Sequence, residues 1–357
     1  MNFSNLSLPS EVKVRDKMVG RGHPVFIIAE IGNNHNGEID LARKEVVSAA
    51  HAGADAVKFQ KRDVDEVFIR EMLSQPQTHS RSLGKTYEEY RRKQELTAGE
   101  LKEVKDLAHS LGLAFFVTAF DLKSAALLAD IGMDAWKISS FDVTHDRLVE
   151  FVARQNQPIF LSTGMSTLEE RDQAVEAVLK HNKQLIINQC VSIYPTPNED
   201  LNLGAVKTLR EHYHPLPVGY SGHEIGYVPT VAAVALGACT VERHFTLDKS
   251  LPGPDHSTVS LEPLEFAQMV REIRRVEKGV ADANVYIHEN EVRHRNKHGK
   301  SVVARVKIPQ GTLISQDMLC FKSPGHGIKP TLMHTVIGKR AKVDIPDDAV
   351  ILEEHLS

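Results

Sequence analysis

Short apolar runs alternate with amphipathic stretches along most of this chain. The runs are 25–31 (VFIIAEI), 56–60 (AVKFQ), 114–119 (AFFVTA), 135–138 (AWKI), 158–162 (PIFLS), 185–190 (LIINQC), 218–221 (VGYS) and 240–244 (TVERH). Each is short for a helix and largely apolar at successive positions, as a strand buried on both faces requires. Between them, apolar residues recur at helical spacing over 40–51, 98–111, 122–130, 145–155, 168–181, 199–212 and 229–236, and a last helix over 263–278 follows the eighth run. Eight strands, each followed by a helix, predict an α/β protein built on a closed (β/α)8 TIM barrel. An open doubly wound sheet is the alternative, but no GxGxxG turn supports it.

The alternation ends near 278. Residues 281–299 are polar and read as a linker, and from 300 short alternating segments resume around Pro309, Gly311, Pro324 and Gly325. The expected organisation is a barrel over 1–280, a linker over 281–299 and a small β-rich domain over 300–357. The stretch EVKVRDKMVGRGHP at 11–24 reads as a hairpin that plugs the lower end of the barrel.

Charge and composition narrow the function classes. The 43 basic and 47 acidic residues are mixed along the length, with a net charge of −4, so there is no field for nucleic acid or anionic lipid. No apolar run is long enough to span a membrane, and the opening MNFSNLSLPSEVKV lacks the pattern of a signal peptide. Cys190, Cys239 and Cys320 are widely spaced and form no CxxC pair, which fits a reduced, cytoplasmic protein.

In parallel barrels the chemistry collects where strands end. Here those positions are polar throughout. Glu30 ends the first strand, Lys58 and Gln60 the second, Thr118 the third, and Lys137 with Ser139 and Ser140 the fourth. Ser162 and Thr163 end the fifth, Gln189 and Ser192 the sixth, Ser221 and His223 the seventh, and Glu242 and His244 the eighth. Such a ring implies a polar ligand, and two lysines among hydroxyls suit a phosphate and a carboxylate. An ion pair with Glu30 is the structural alternative for either lysine. His223 and His244 end consecutive strands, where two imidazoles suit one divalent metal with open positions for water and substrate. GNNHNG at 32–37 either lines the mouth or forms a turn, and PGPDH at 252–256 projects Asp255 and His256 over the same face.

The motifs IIAEIGNNHNG, GADAVKFQK, WKISSFD, LSTGM, IYPTP, GYSGHEIG and ALGACTVERHFTLDKSLPGPDH, with the terminal SVVARVKIPQGTLISQDML, resemble the sialic acid (N-acetylneuraminate) synthases, and the final domain is similar to their antifreeze-like (SAF) module. The resemblance implies a transferase that condenses phosphoenolpyruvate with an N-acyl hexosamine, typically N-acetylmannosamine, and works as a domain-swapped homodimer. It implies a divalent metal on His223 and His244, manganese first and magnesium or cobalt as alternatives. By motif position, Lys58, Thr118, Lys137, Ser140, Ser162 and Ser221 would bind phosphoenolpyruvate, with Ser192 a further substrate-binding position. Glu30, Gln60, Tyr194 and Asp255 would hold the sugar, with Glu30 joining the two histidines in catalysis.

Two positions depart from the family's pattern, the first bearing on the acceptor and the second on the loop after the fourth strand. Ser323 stands where an Arg often precedes the Pro-Gly of the small domain, and WKISSFD replaces a more usual KIGSGE or KIGSGD. Competing expectations are a synthase for another nonulosonate (legionaminate, pseudaminate or a phosphorylated product), a Schiff-base pyruvate aldolase using Lys137 or Lys58, and a carbohydrate-binding scaffold without turnover.

Overall fold

The computed structural model describes all residues except 1, 2, 4, 5, 79, 80, 254–257, 282 and 283. It forms two compact units, Met1–Asp282 and Ala283–Ser357. The first opens with a hairpin of β1 (Glu11–Val14) and β2 (Lys17–Gly20). The strands β3 (Phe26–Gly32), β4 (Ala56–Lys61), β5 (Ala114–Ala119), β6 (Trp136–Ile138), β7 (Ile159–Ser162), β8 (Leu185–Cys190), β9 (Val218–Gly222) and β10 (Thr240–His244) then pair in parallel, and β10 pairs back to β3 to close the barrel.

The outer layer includes α1 (Ile39–His51), the short α2 (Val64–Val67), α3 (Arg70–Leu73) and α4 (Tyr87–Lys93), then α5 (Ala98–Ser110), α6 (Leu122–Ile131), α7 (Asp146–Ala153), α8 (Leu168–Leu179), α9 (Ala205–His212), α10 (Val228–Ala235) and a long helix, Pro263–Val280. Several start where their sequences dictate. Thr97 with Glu100 and Thr167 with Glu170 form capping boxes on α5 and α8, and the Asp121 carboxylate caps α6 through Ser124 N. Among the described residues no helix is long and apolar enough to cross a membrane.

Side chains on a strand alternate between faces, and that parity organises the barrel. Ile27, Ala29, Ile31, Val57, Phe59, Phe115, Val117, Trp136, Ile159 and Leu161 belong to the core between sheet and helices. The opposite set, Phe26, Ile28, Ala56, Ala114, Phe116, Ala135, Phe160 and Ile186, packs in a separate cluster with Val12, Val14 and Val19 of the hairpin. That cluster fills the lower half of the barrel, as the plug reading expects. Lys17 pairs with Asp55, and the Arg15 guanidinium donates to Leu113 O at 2.5 Å, which pins the hairpin to loops at the starts of strands. Continued upward, the same parity reaches Glu30, Lys58, Thr118, Lys137, Ser162, Asn188, Ser221 and Glu242, all buried.

The second unit has its own core, which includes Val302, Ile308, Ile314, Leu319, Val336 and Ile351. Its ladder is limited to β11 (Ser301–Ala304) against β12 (Leu319–Lys322), with isolated bridges such as Ile308↔Ile345. Prolines 309 and 324 donate no backbone hydrogen bond, which keeps the strands short. The polar stretch that reads as a linker carries a helix, Glu289–His298, with no buried residue. Ser323 Oγ donates to His298 O at 3.1 Å and accepts from Lys300 Nζ at 3.0 Å.

Candidate active site

Strand register sets the inward-facing polar residues side by side. Glu30 lies opposite Lys58 on one side and His244 on the other, Gln60 opposite Thr118, Thr118 opposite Lys137, and Glu242 opposite Ser221. Their side chains form one buried chain of charges. Lys58 Nζ lies 2.7 Å from Glu30 Oε2 and 3.6 Å from Glu242 Oε1, and donates to Thr118 Oγ1 at 2.9 Å. Lys137 Nζ donates to both oxygens of Glu242, at 2.8 and 2.7 Å, and Ser221 Oγ donates to Oε1 at 3.2 Å. On the other flank Gln60 Nε2 donates to Glu30 Oε1 at 2.7 Å, while Gln60 Oε1 accepts from Arg62 at 2.6 Å.

Burial and pairing pull these groups in opposite directions. Burial alone would raise Glu242, but the ammonium groups of Lys137 and Lys58 outweigh it and hold the carboxyl at about 2. For Lys137 burial dominates, Glu242 offsets it only in part, and Lys58 adds repulsion, so the pKa falls below the ordinary lysine range. Lys58 has two carboxylate neighbours, Glu242 and Glu30, which overcome its burial and raise it. Glu30 moves up because its burial, reinforced by Glu242, exceeds the attraction of Lys58.

His223 and His244 meet at the mouth with ring centroids 5.5 Å apart, and the Tyr194 ring lies 4.0 Å from the first and 6.2 Å from the second. His223 Nδ1 bonds Val191 O at 2.9 Å. A carbonyl only accepts, so Nδ1 carries the proton and a neutral ring keeps its lone pair on Nε2. Burial lowers His244 well below the usual histidine value, and the charges of His223 and Lys58 lower it further, so it is neutral at neutral pH. Its Nδ1 is buried without a hydrogen-bond partner. Cys190 Sγ lies 3.9 Å from His223 Nδ1. Burial opposes charge on both, yet their mutual attraction prevails and brings the thiol down to about 7 and the imidazole up. Among the described residues no three His, Cys, Asp or Glu side chains are grouped to hold a metal, and His223 with His244 is the imidazole pair that could share a cation. A neutral imidazole with an unpartnered nitrogen beside a second imidazole suits that role.

One cavity brings together nearly every residue singled out from the sequence: Glu30, Lys58, Gln60, Thr118, Lys137, Ser140, Ser162, Tyr194, Ser221, His223 and His244. Ser162 Oγ is buried there without a partner. Ser192 lies just beyond β8, half-buried, with Oγ 3.9 Å from Cys190 Sγ. Asp255 and His256 lie outside the described residues. GNNHNG is a bracing turn: Asn34 donates to Phe245 O at 2.7 Å and Ser260 Oγ at 3.0 Å, and Asn36 donates to Pro252 O at 2.9 Å. Gly37 is required there, since its φ is +76° and a Cβ would lie 1.9 Å from Lys93 O. Glu242, noted on the rim but given no role, is the pivot of the charge chain. Cys190, Phe120 and Phe141 also line the cavity and carried no functional expectation. Strand parity was the available signal for the first two of these four, because Glu242 shares a face with His244 and Cys190 with Asn188.

The NeuB family model matches residues 45–284 and the SAF domain model residues 299–357. The chain is 38% identical over 339 residues to N-acetylneuraminate-9-phosphate synthase of Homo sapiens, covering 95% of this chain and 94% of that one. It is 34% identical to N,N'-diacetyllegionaminic acid synthase of Legionella pneumophila, covering 94% and 96%. Among solved structures it resembles the N-acetylneuraminic acid synthetase of Leptospira borgpetersenii in complex with citrate, with a TM-score of 0.72 and 32% identity over 81% of this chain and 97% of that one.

Proposed function

The chain belongs to the NeuB family, the sialic acid synthases, and from that premise we propose that it condenses phosphoenolpyruvate with an N-acyl hexosamine and water to give a nine-carbon sialic-type acid and phosphate. N-acetylmannosamine is the acceptor favoured by the motif match. The relatives' names also make a 6-phosphorylated or diacetylated hexosamine a rational acceptor. The observation that carries the reading is the buried chain Glu30–Lys58–Glu242–Lys137 at the level of two facing imidazoles.

Roles follow from the chemistry of each group. The ammonium groups of Lys58 and Lys137 would offset the donor's phosphate and carboxylate, with Ser140, Ser162, Ser221 and Thr118 orienting its oxygens. Ser192 would add a hydroxyl at the edge. Gln60 and Tyr194 would contact the sugar hydroxyls, and Asp255 is proposed for the same side. Glu30, held above its ordinary pKa by burial, is suited to exchange a proton with the sugar aldehyde oxygen. Carbon 3 of the donor bonds to the aldehyde carbon, water adds at carbon 2, and the bond from carbon 2 to the phosphate oxygen breaks. His223 and His244 would hold a divalent cation, manganese first and magnesium or cobalt as alternatives, which when bound polarises the aldehyde and acidifies a water.

The second unit is proposed to complete the site across a domain-swapped homodimer. Exposed apolar side chains that follow three of the barrel strands support this: Phe141 after β6, Met165 after β7, and Ile225 and Val228 after β9 are 55, 65, 75 and 73% exposed. A Schiff-base aldolase is the second reading, favoured by the lowered pKa of Lys137. The test is phosphate release from purified protein with phosphoenolpyruvate, manganese and a panel of N-acyl hexosamines. Release that needs all three supports the synthase. Release independent of sugar, or trapping of pyruvate on Lys137 by borohydride, contradicts it.

A further inference from the structure

Arg243 stands between Glu242 and His244, but strand alternation turns its side chain the other way, out of the barrel. Its guanidinium is fully buried, as is the carboxylate of Glu224, the residue after His223. NH1 donates to Glu224 Oε1, Gly226 O and Thr230 Oγ1, each at 2.8 Å. NH2 donates to Glu224 O at 2.7 Å and Val259 O at 3.5 Å. Thr230 Oγ1 donates to Glu224 Oε1 at 2.5 Å, and Tyr220 OH donates to Oε2 at 3.0 Å. Gly222 leaves the room for this, since a Cβ there would lie 2.3 Å from Glu224 Oε2.

These bonds tie three segments to β10: the loop after β9 that carries His223, the first turn of α10, and the chain returning at Val259 after the loop that follows β10. A buried ion pair gives little net stability over an apolar pair of equal volume. An apolar pair, however, cannot fix three carbonyls, a hydroxyl and a carboxylate in one geometry, and lysine lacks the guanidinium's fork.

We propose that Arg243 and Glu224 are positioning residues that clamp the His223 loop onto the His244 strand and so set the separation of the two imidazoles. The cation they would serve rests on the functional reading above. The pair acts through the backbone, from the face of β10 opposite His244.

The test is manganese affinity by electron paramagnetic resonance, without substrates, for wild type, Arg243→Lys, Glu224→Gln and Asp172→Asn. Asp172 accepts from Tyr213 OH and bonds His212, both at 2.8 Å, so its variant weakens half-buried bonds away from His223 and His244. We expect Arg243→Lys and Glu224→Gln to bind manganese about 10- to 100-fold more weakly than wild type, and Asp172→Asn to keep wild-type affinity despite a lower melting temperature. Affinity in both clamp variants no weaker than in Asp172→Asn overturns the proposal. If Arg243→Lys does not fold, the isosteric Glu224→Gln decides. Wild type that binds no manganese contradicts the functional reading instead. The imidazole nitrogen resonances of His223 and His244 in metal-free Glu224→Gln then decide: they shift if the pair positions the rings and stay in place if it does not.

Discussion

Ser162 separates a binding role from a structural one. Its hydroxyl is buried with no partner, so Ser162→Ala removes no internal bond. Its denaturation midpoint should stay within about 0.5 kcal/mol of wild type, while KM for phosphoenolpyruvate rises about tenfold, as loss of one hydrogen bond to a charged ligand implies. An unchanged KM would remove Ser162 from the donor site. Glu45 gives the complementary case. Both its carboxylate oxygens are buried and unpartnered in α1, and burial raises its pKa well above the ordinary carboxylate range. The folded state therefore binds a proton that the unfolded state has released, and stability falls as pH rises from about 4.5 towards the folded pKa, by up to about 1.4 kcal/mol per unit. Glu45→Leu should flatten that slope and add roughly 1–3 kcal/mol at neutral pH, measured by urea melts between pH 5 and 8. An unaltered slope would show that another group carries the dependence. Single residues were legible where parity and strand ends coincide, as for Lys58, Lys137 and His244. Arg243 was not, because its work is done on the outer face, where no local pattern marks a partner such as Glu224.

At the level of elements, all eight barrel strands lie within a residue of the runs visible in the sequence, because a doubly buried strand must be apolar throughout. The helices α2, α3 and α4 were invisible: at four to seven residues they are too short to show a helical period. Helix α9 begins at Ala205, not near 199. Asn198–Asp200 forms a 3₁₀ turn and Asn202 has φ +47°, so the helix cannot extend back. Parity also creates a tight spot beneath the site. Thr240 Oγ1 donates to Asn188 Oδ1 at 2.9 Å, and a Cβ on Gly219 would lie 1.8 Å from Thr240 Oγ1. Gly219→Ala should therefore cost about 1–3 kcal/mol through overpacking, read as a lowered denaturation midpoint. A wild-type midpoint would mean that β8 and β10 yield more easily than this packing implies.

For the whole molecule, each unit has its own core, so a chain ending at Asp282 should still melt cooperatively as a barrel. If a partner's second unit completes the mouth, that shortened chain should lose turnover, and the full-length protein should sediment as a dimer. Full activity in the shortened chain would contradict the swapped arrangement. Barrel and appended domain were both legible from the order of apolar runs, whereas the acceptor sugar was not, since Ser323 and Phe141 stand where this sequence departs from the pattern it otherwise resembles. His223 and His244 are proposed to hold one divalent cation together, beside the Lys58–Glu242–Lys137 chain. Anomalous diffraction from crystals soaked in manganese would decide the matter. One strong peak within bonding distance of a nitrogen from each ring is the expected result; a peak elsewhere, or rings turned apart with nothing between them, would rule out the shared cation.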